Sequence, residues 1–211
     1  MSQEPGVGVR LNEMLKASGM AEIGAETARR FEAYLALLIS WNARLNLTAI
    51  RSKEGILSRH FLESIACAGI IPKGVETLLD FGSGAGFPGI PIALCRPEIS
   101  VTLAESQAKK AAFLQEALRT LELFSVKVHA GRAETLGGRF DCVAMRAVDR
   151  MDRAVSIGSR LVRSGGWLVL MSTNAQFVEL KSAAGADVQW LDCAELPLST
   201  ERIIAIGART K

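Results

Sequence analysis

Leu78-Leu79-Asp80-Phe81-Gly82-Ser83-Gly84-Ala85-Gly86-Phe87-Pro88-Gly89-Ile90-Pro91 is the stretch whose reading decides the fold. A short apolar run, Thr77 to Leu79, ends in an acid, glycines follow at 82, 84, 86 and 89, and helix-like sequence resumes behind Pro88. Proline suits the first turn of a helix, so the order reads as buried strand, tight turn, helix. Glycine permits positive φ and lets a ligand lie on the main chain. The new helix aims its free N–H groups and positive dipole end at the same place.

Two ligand classes use such a turn. Dinucleotides use G-x-G-x-x-G, which Gly84, Gly86 and Gly89 satisfy. Enzymes of S-adenosylmethionine (SAM) use an acid, one residue, then G-x-G-x-G, which Asp80, Gly82, Gly84 and Gly86 satisfy. The glycines alone leave the choice open, and an ordinary loop has a similar composition.

Outward from the turn, apolar patterning alternates between strand and helix. Strands are predicted at 76–81, 100–105, 125–130, 140–145 and 165–171, with helices at 88–95, 107–122 and 150–163 between them. In 107–122 the apolar side is Ala111, Phe113, Leu114, Ala117, Leu118 and Leu121, which leaves Lys109, Lys110, Glu116 and Arg119 mostly facing water. A helix over 174–184 follows. The runs 187–195 and 201–208 then form an antiparallel hairpin around Pro197 to Thr200. Short βα units imply a parallel sheet covered on both faces. The N-terminal side reads as three helices: Val7, Leu11, Met14 and Leu15 with a stop at Gly19, then Phe31 to Leu45, then 54–68, closed by Gly69, Pro72 and Gly74. The reading is therefore an α/β protein with a seven-stranded Rossmann-like sheet, a helical cap at 1–74 and a ligand-binding core at 75–211, in one compact domain.

The bulk composition agrees. At 211 residues, 49% hydrophobic and 22% charged, the chain can bury a full core. A net charge of +3 is too small to predict nucleic-acid binding by itself. Cys67, Cys95, Cys142 and Cys193 are far apart, and His60 and His129 are the two histidines. Core thiols in a reducing compartment fit this better than a metal site. Arg10, Glu13 and Lys16 break the first 20 residues, and no apolar run approaches a membrane span. The expectation is a cytoplasmic protein with no membrane and no metal.

In an open parallel sheet, ligands sit beyond the C-terminal strand ends, where strand order reverses. Strand two ends there in Glu105, nineteen residues after Gly86, where an acid can take ribose hydroxyls; capping the next helix is a compatible role. Strand three delivers Gly131-Arg132-Ala133-Glu134, either an adenine-reading edge or a solvated turn. Strand four delivers Arg146, whose guanidinium could hold a ligand carboxylate through two hydrogen bonds or remain a surface charge.

These residues carry a resemblance. The glycine string from Asp80 to Pro91, then Glu105-Ser106, Lys109-Lys110, Gly131 to Glu134 and Arg146 to Val148, resemble the bacterial 16S ribosomal RNA guanine-N7 methyltransferase family, also called glucose-inhibited division protein B. Trp41-Asn42, Asn46 to Ala49 and His60 to Ser64 are similar to its N-terminal motifs, so the likeness spans residues 30–207. It implies a SAM-dependent methyltransferase fold acting on N7 of a guanine in 16S rRNA of the small ribosomal subunit. It also implies that Gly82, Gly84, Gly86 and Phe87 line the SAM site, Glu105 takes the ribose, Ala133 and Glu134 contact adenine, and Arg146 contacts the methionine end. Glu63 and Glu105 depart mildly from the family, which often has Asp at both places.

A guanine N7 carries an in-plane lone pair and needs no proton removed. No Asn/Asp-Pro-Pro-Tyr/Phe segment follows strand four, and Met145 to Val148 stands in its place. No catalytic base is assigned; His60 reads as a core or RNA-contacting residue. RNA must be held by local charge. Arg139, Arg146, Arg150, Arg153, Arg160 and Arg163 group with strand four, and Arg51, Lys53 and Arg59 come from the cap. The RNA-binding candidates are Asn46, Arg59, His60, Arg132 and Arg150, with Phe87 and Trp41 as possible stacking surfaces, although Trp41 reads better as core. The chain is expected to be a monomer. Two competing readings remain. One is an NAD(P)-dependent oxidoreductase, against which the single Tyr34 stands far along the chain from the turn. The other is a SAM-sensing RNA-binding or ribosome assembly factor.

Overall fold

The computed structural model describes residues 5–191 and 193–211. Helices α1 (Val7–Ala17) and α2 (Ala25–Leu45) come first along the chain. Gly19, at φ +69°, stops α1 where the sequence places a stop. A continuous helical segment follows: α3 (Lys53–Ile56), a π-helical turn (Leu57–Leu62) and α4 (Glu63–Ile70). Ser52 starts it by accepting from the Gly55 N–H, and the buried Asn42 amide brackets Thr48 to shape the preceding loop.

The alternating part runs β1 (Thr77–Phe81), α5 (Gly89–Cys95), β2 (Ser100–Glu105), α6 (Ala108–Thr120), β3 (Lys127–Ala130), β4 (Phe140–Arg146), α7 (Met151–Leu161), β5 (Val162–Thr173), α8 (Asn174–Leu180), β6 (Val188–Trp190), β7 (Ala194–Glu195) and β8 (Arg202–Arg209). The sheet order is β3-β2-β1-β4-β5-β8-β6, with the two-residue β7 pairing β8 beside that path. Strands β1 to β5 pair in parallel, and β8 runs antiparallel to β5, β6 and β7. Seven strands thus lie along the path with β8 reversed.

The run expected as one strand at 187–195 is divided into β6 and β7, both pairing with β8; Asp192 within that run lies outside the described residues. The helix expected to reach residue 163 ends at Leu161, and β5 begins at Val162 instead of 165. Gly165 at φ +71° and the register shift opposite Phe140 mark an irregular entry into β5, which an apolar pattern does not reveal.

Adjacent residues of each strand feed opposite faces. Leu78, Leu103, Cys142, Ala144 and Val169 pack with Phe31, Tyr34, Leu38, Phe61 and Phe113 on one side. Leu79, Val143, Met145, Leu168 and Leu170 pack with Ala154, Val155 and Leu180 on the other. The N-terminal helices therefore share a core with the sheet. Strand order reverses between β1 and β4, so a crevice opens at the C-terminal ends of those strands. Among the described residues no helix is long and apolar enough to cross a membrane.

Candidate functional site

The crevice is floored by the turn after β1. The Gly82 and Ser83 N–H groups both donate to the Ala104 carbonyl at 3.0 Å, and the Gly86 and Phe87 N–H groups donate back to the Ser83 carbonyl. Gly82, Gly84 and Gly86 all take positive φ, as a turn this tight requires. Asp80 lies beneath the turn, fully buried, with Oδ2 accepting the Gly89 N–H at 3.0 Å. The acid of the motif thus anchors the first turn of α5 and does not line the crevice. Burial pushes its carboxyl up to about 7.

Glu105, at the end of β2, accepts the Gly84 N–H at 2.9 Å through Oε2 and the Gln107 N–H at 2.7 Å through Oε1. Gln107 stands just ahead of α6, so Glu105 braces the entry to the helix, and the capping role expected from sequence is not made to the helix's own N–H groups. Each carboxylate oxygen keeps a further lone pair.

Two adjoining hollows occupy the crevice. The first, about 310 Å³, is reached by Gly82, Ser106, Ala133, Glu134, Arg132 and Arg150. The second, about 380 Å³, is reached by Gly84, Phe87, Glu105, His60, Thr48 and Arg146. Gly82, Ser106, Val148 and Asp149 border both. A side chain at Gly82 would put its Cβ 3.0 Å from the Val148 side chain, which would have to give way, at a position whose φ of +72° already favours glycine.

Arg146, at the end of β4, donates through Nη2 to Glu63 Oε2 at 2.9 Å and to the Arg59 carbonyl at 2.6 Å. Its Nη1 is buried without a protein partner. His60 stacks on Phe87 with ring centroids 4.5 Å apart and planes 14° apart, and its Nε2 meets Thr48 Oγ1 at 2.7 Å. Burial, then the charges of Arg146 and Arg59, push the imidazole down to about 3, so it is neutral at pH 7. It sits in the π-helical turn, an irregularity that often marks functional positions.

The remaining candidates divide. Gly86 does not reach either hollow: a Cβ there would lie 2.5 Å from Ile90 and 2.7 Å from the Tyr34 hydroxyl, so this glycine makes room on the inner side of the turn. Asn46 takes the left-handed position that ends α2 and accepts from Arg51 at 2.9 Å. It stands outside both hollows, as do Arg51 and Lys53. Trp41 packs edge-on against Phe113 in the helical layer. The arginines grouped with β4 are not one cluster. Arg146, Arg150 and Arg153 stand at the crevice, whereas Arg163 pairs with Asp141 at the opposite end of the strand and Arg160 lies one 11-residue helix away. A helix running back along a parallel strand carries its two ends to opposite edges of the sheet, which a linear count of arginines overlooks.

Tyr34 is far from the turn in sequence and against it in space, its buried hydroxyl donating to the Ala85 carbonyl. That bond and full burial leave it no face toward either hollow, so it cannot serve as the tyrosine of a nicotinamide-type Tyr-Lys pair. Thr48, Lys110, Val148 and Asp149, to which the sequence assigns no site role, also line the hollows. Lys110, which the helical pattern turns mostly to water, faces partly inward from the first turn of α6. The loop carrying Val148 and Asp149 is bracketed by Ala147 and Arg150, both non-glycine residues in the left-handed region. Beyond the family likeness that ends at Val148, its signal in the sequence is an acid just past a strand end, and such strain collects at functional loops.

Known proteins resemble this chain in sequence and in fold. Residues 27–193 match the family model described as rRNA small subunit methyltransferase G. The chain is 42% identical over 169 residues to a ribosomal RNA small subunit methyltransferase G of Xanthomonas euvesicatoria, covering 79% of this chain and 77% of that protein. It is 43% identical over 157 residues to the protein of the same name from Stenotrophomonas maltophilia, covering 72% and 73%. Among solved structures, a SAM-dependent methyltransferase from Aquifex aeolicus superposes with a TM-score of 0.58 over 74% of this chain and 93% of that one, at 14% identity, a likeness of fold.

Proposed function

The chain belongs to the rRNA small subunit methyltransferase G family, and from that premise we propose that it transfers a methyl group from SAM to N7 of a guanine in 16S rRNA. The observation that carries the reading is the buried Nη1 of Arg146, a donor without a partner beside the glycine turn and the Glu105 carboxylate. A buried N–H without an acceptor is costly unless a ligand supplies one. The carboxylate of an amino-acid tail meets that need; a nicotinamide dinucleotide would bring phosphates to it instead, so the family membership decides between the two.

The residues present fit the donor. The bare main chain at Gly82 and Gly84 admits a close-lying adenosyl group, and Glu105 has lone pairs left for ribose hydroxyls. Ala133 and Glu134 border the adjoining hollow, where they would meet the adenine, and Phe87 covers the turn. SAM supplies an electrophilic methyl on a sulfonium. The chain contributes position and water exclusion, since guanine N7 presents its lone pair without losing a proton. Holding two reactants in line is worth several kcal/mol in favourable cases. The neutral His60 need not act as a base, and no general base is assigned. Arg132, Arg150 and Arg153, which border the first hollow, would meet RNA phosphates. The proposed setting is cytoplasmic, with the small ribosomal subunit as partner.

A tritium-transfer assay on small-subunit particles tests the proposal. The expected result is label at a guanine N7. Label confined to an exocyclic amine or to protein overturns it, as does calorimetric binding of NAD without binding of SAM.

A further inference from the structure

We propose that Glu63 is the positioning residue of Arg146, held in turn by Arg202, so that the donor's carboxylate is read through a buried carboxylate on the helical layer. The inference rests on the SAM reading above. Glu63 opens α4, directly after the π-helical turn, and is 1% exposed. Three arginines from three elements converge on it. Oε1 accepts from Arg59 Nε at 3.2 Å and from Arg202 Nε at 2.8 Å, and Oε2 accepts from Arg146 Nη2 at 2.9 Å. Arg146 comes from the end of β4, and Arg202 from the start of β8, opposite Thr173 at the end of β5.

The geometry separates this cluster from a purely structural ion pair. A guanidinium is planar and rigid, so fixing Nη2 on Glu63 and on the Arg59 carbonyl fixes the direction of Nη1 as well. That Nη1 is the atom left buried and unpartnered. The charges also fail to balance: three guanidinium groups against one carboxylate leave a surplus of two positive charges. Buried ion pairs are poor stabilisers unless fully compensated. Of the three arginines, Arg59 is 44% exposed and Arg202 23%, whereas Arg146 is 13% exposed and has the least access to solvent. An anion brought to Arg146 offsets one of those two charges and supplies Nη1 with an acceptor.

The test uses calorimetry with two ligands, SAM and decarboxylated SAM, which keeps the sulfonium, the amine and the adenosine and lacks the carboxylate. The wild-type chain is expected to bind SAM at least tenfold tighter. In Glu63→Gln that preference should shrink by about tenfold, the worth of one charge-assisted hydrogen bond, through weaker SAM binding with the decarboxylated ligand unchanged. Equal weakening of both ligands, or of neither, overturns the proposal. Removing Glu63 leaves buried arginines uncompensated and can prevent folding. In that case Arg202→Gln decides with the same two ligands: a selective loss of about threefold for SAM supports the positioning role, and an equal or absent loss overturns it. A wild-type chain that binds neither ligand overturns instead the methyl-donor reading on which this rests.

Discussion

The hydroxyl of Tyr34 donates to the main-chain carbonyl of Ala85, so a residue of α2 is bonded to the apex of the glycine turn 51 positions further along the chain. The ring lies between Phe61 at 5.3 Å and Phe87 at 5.4 Å, and the contact is fully buried. The helical layer therefore sets the position of the turn. Tyr34→Phe keeps the ring and leaves the Ala85 carbonyl buried without a partner, at a cost of about 1–3 kcal/mol. Urea unfolding should show that loss, and calorimetry should show SAM affinity reduced several-fold. Unchanged stability together with unchanged affinity would refute the link.

Gly86 and Gly138 allow a paired measurement. Both have positive φ, +93° and +97°, but a Cβ on Gly86 meets Ile90 and Tyr34, whereas on Gly138 it meets nothing within 4 Å. Alanine pays the left-handed penalty of about 1–2 kcal/mol at both. Gly86→Ala should lose at least about 2 kcal/mol more than Gly138→Ala, because the buried neighbours must move. Equal thermal shifts in the two variants would show that the turn can relax away from α2.

Glu105→Ala removes the acceptor of the Gly84 and Gln107 N–H groups together with the carboxylate proposed to take the ribose. Hydrogen bonds to a charged group contribute roughly 1.5–3 kcal/mol. SAM binding is predicted to weaken about tenfold or more by calorimetry, and a change under twofold would exclude Glu105 from the ribose site.

Asp80 sets a pH dependence. Burial raises its folded-state value from 3.8 to about 7. Below pH 4 the group is protonated whether the chain is folded or not, and no penalty arises. As pH climbs from about 4 to about 7 the unfolded chain ionises first, so stability falls, by up to about 4 kcal/mol, and levels off above 7. Asp80→Asn keeps an acceptor for the Gly89 N–H and cannot ionise. Its stability relative to wild type should therefore improve by about 2–3 kcal/mol between pH 5 and pH 8, read from urea midpoints. A difference that stays constant across that range would show that Asp80 titrates normally.

Much of the fold was legible because its signals are local. The 3.6-residue apolar period of α6 and the alternate apolar runs of β1 and β4 are written in consecutive side chains, as is the glycine string whose positive φ values no other residue tolerates at low cost. The break between β6 and β7 was not legible, because pairing with β8 decides it. The hollows were half legible. Strand ends located Glu105, Ala133 and Arg146, but nothing in the chain order tells that Gly86 faces inward, that Arg160 and Arg163 lie away from the crevice, or that Lys110 turns toward it.

What the sequence by itself determined is the doubly covered parallel sheet and the place of its crevice, since both follow from short-range periodicity and from backbone conformations that only glycine adopts easily. What only the tertiary structure decided is the partnership of charges and aromatic rings across that crevice. Arg146 meets Glu63 across 83 positions, and Arg202 meets it across 139. A side chain's partner is fixed by which elements pack together, and packing brings together residues that the chain keeps far apart.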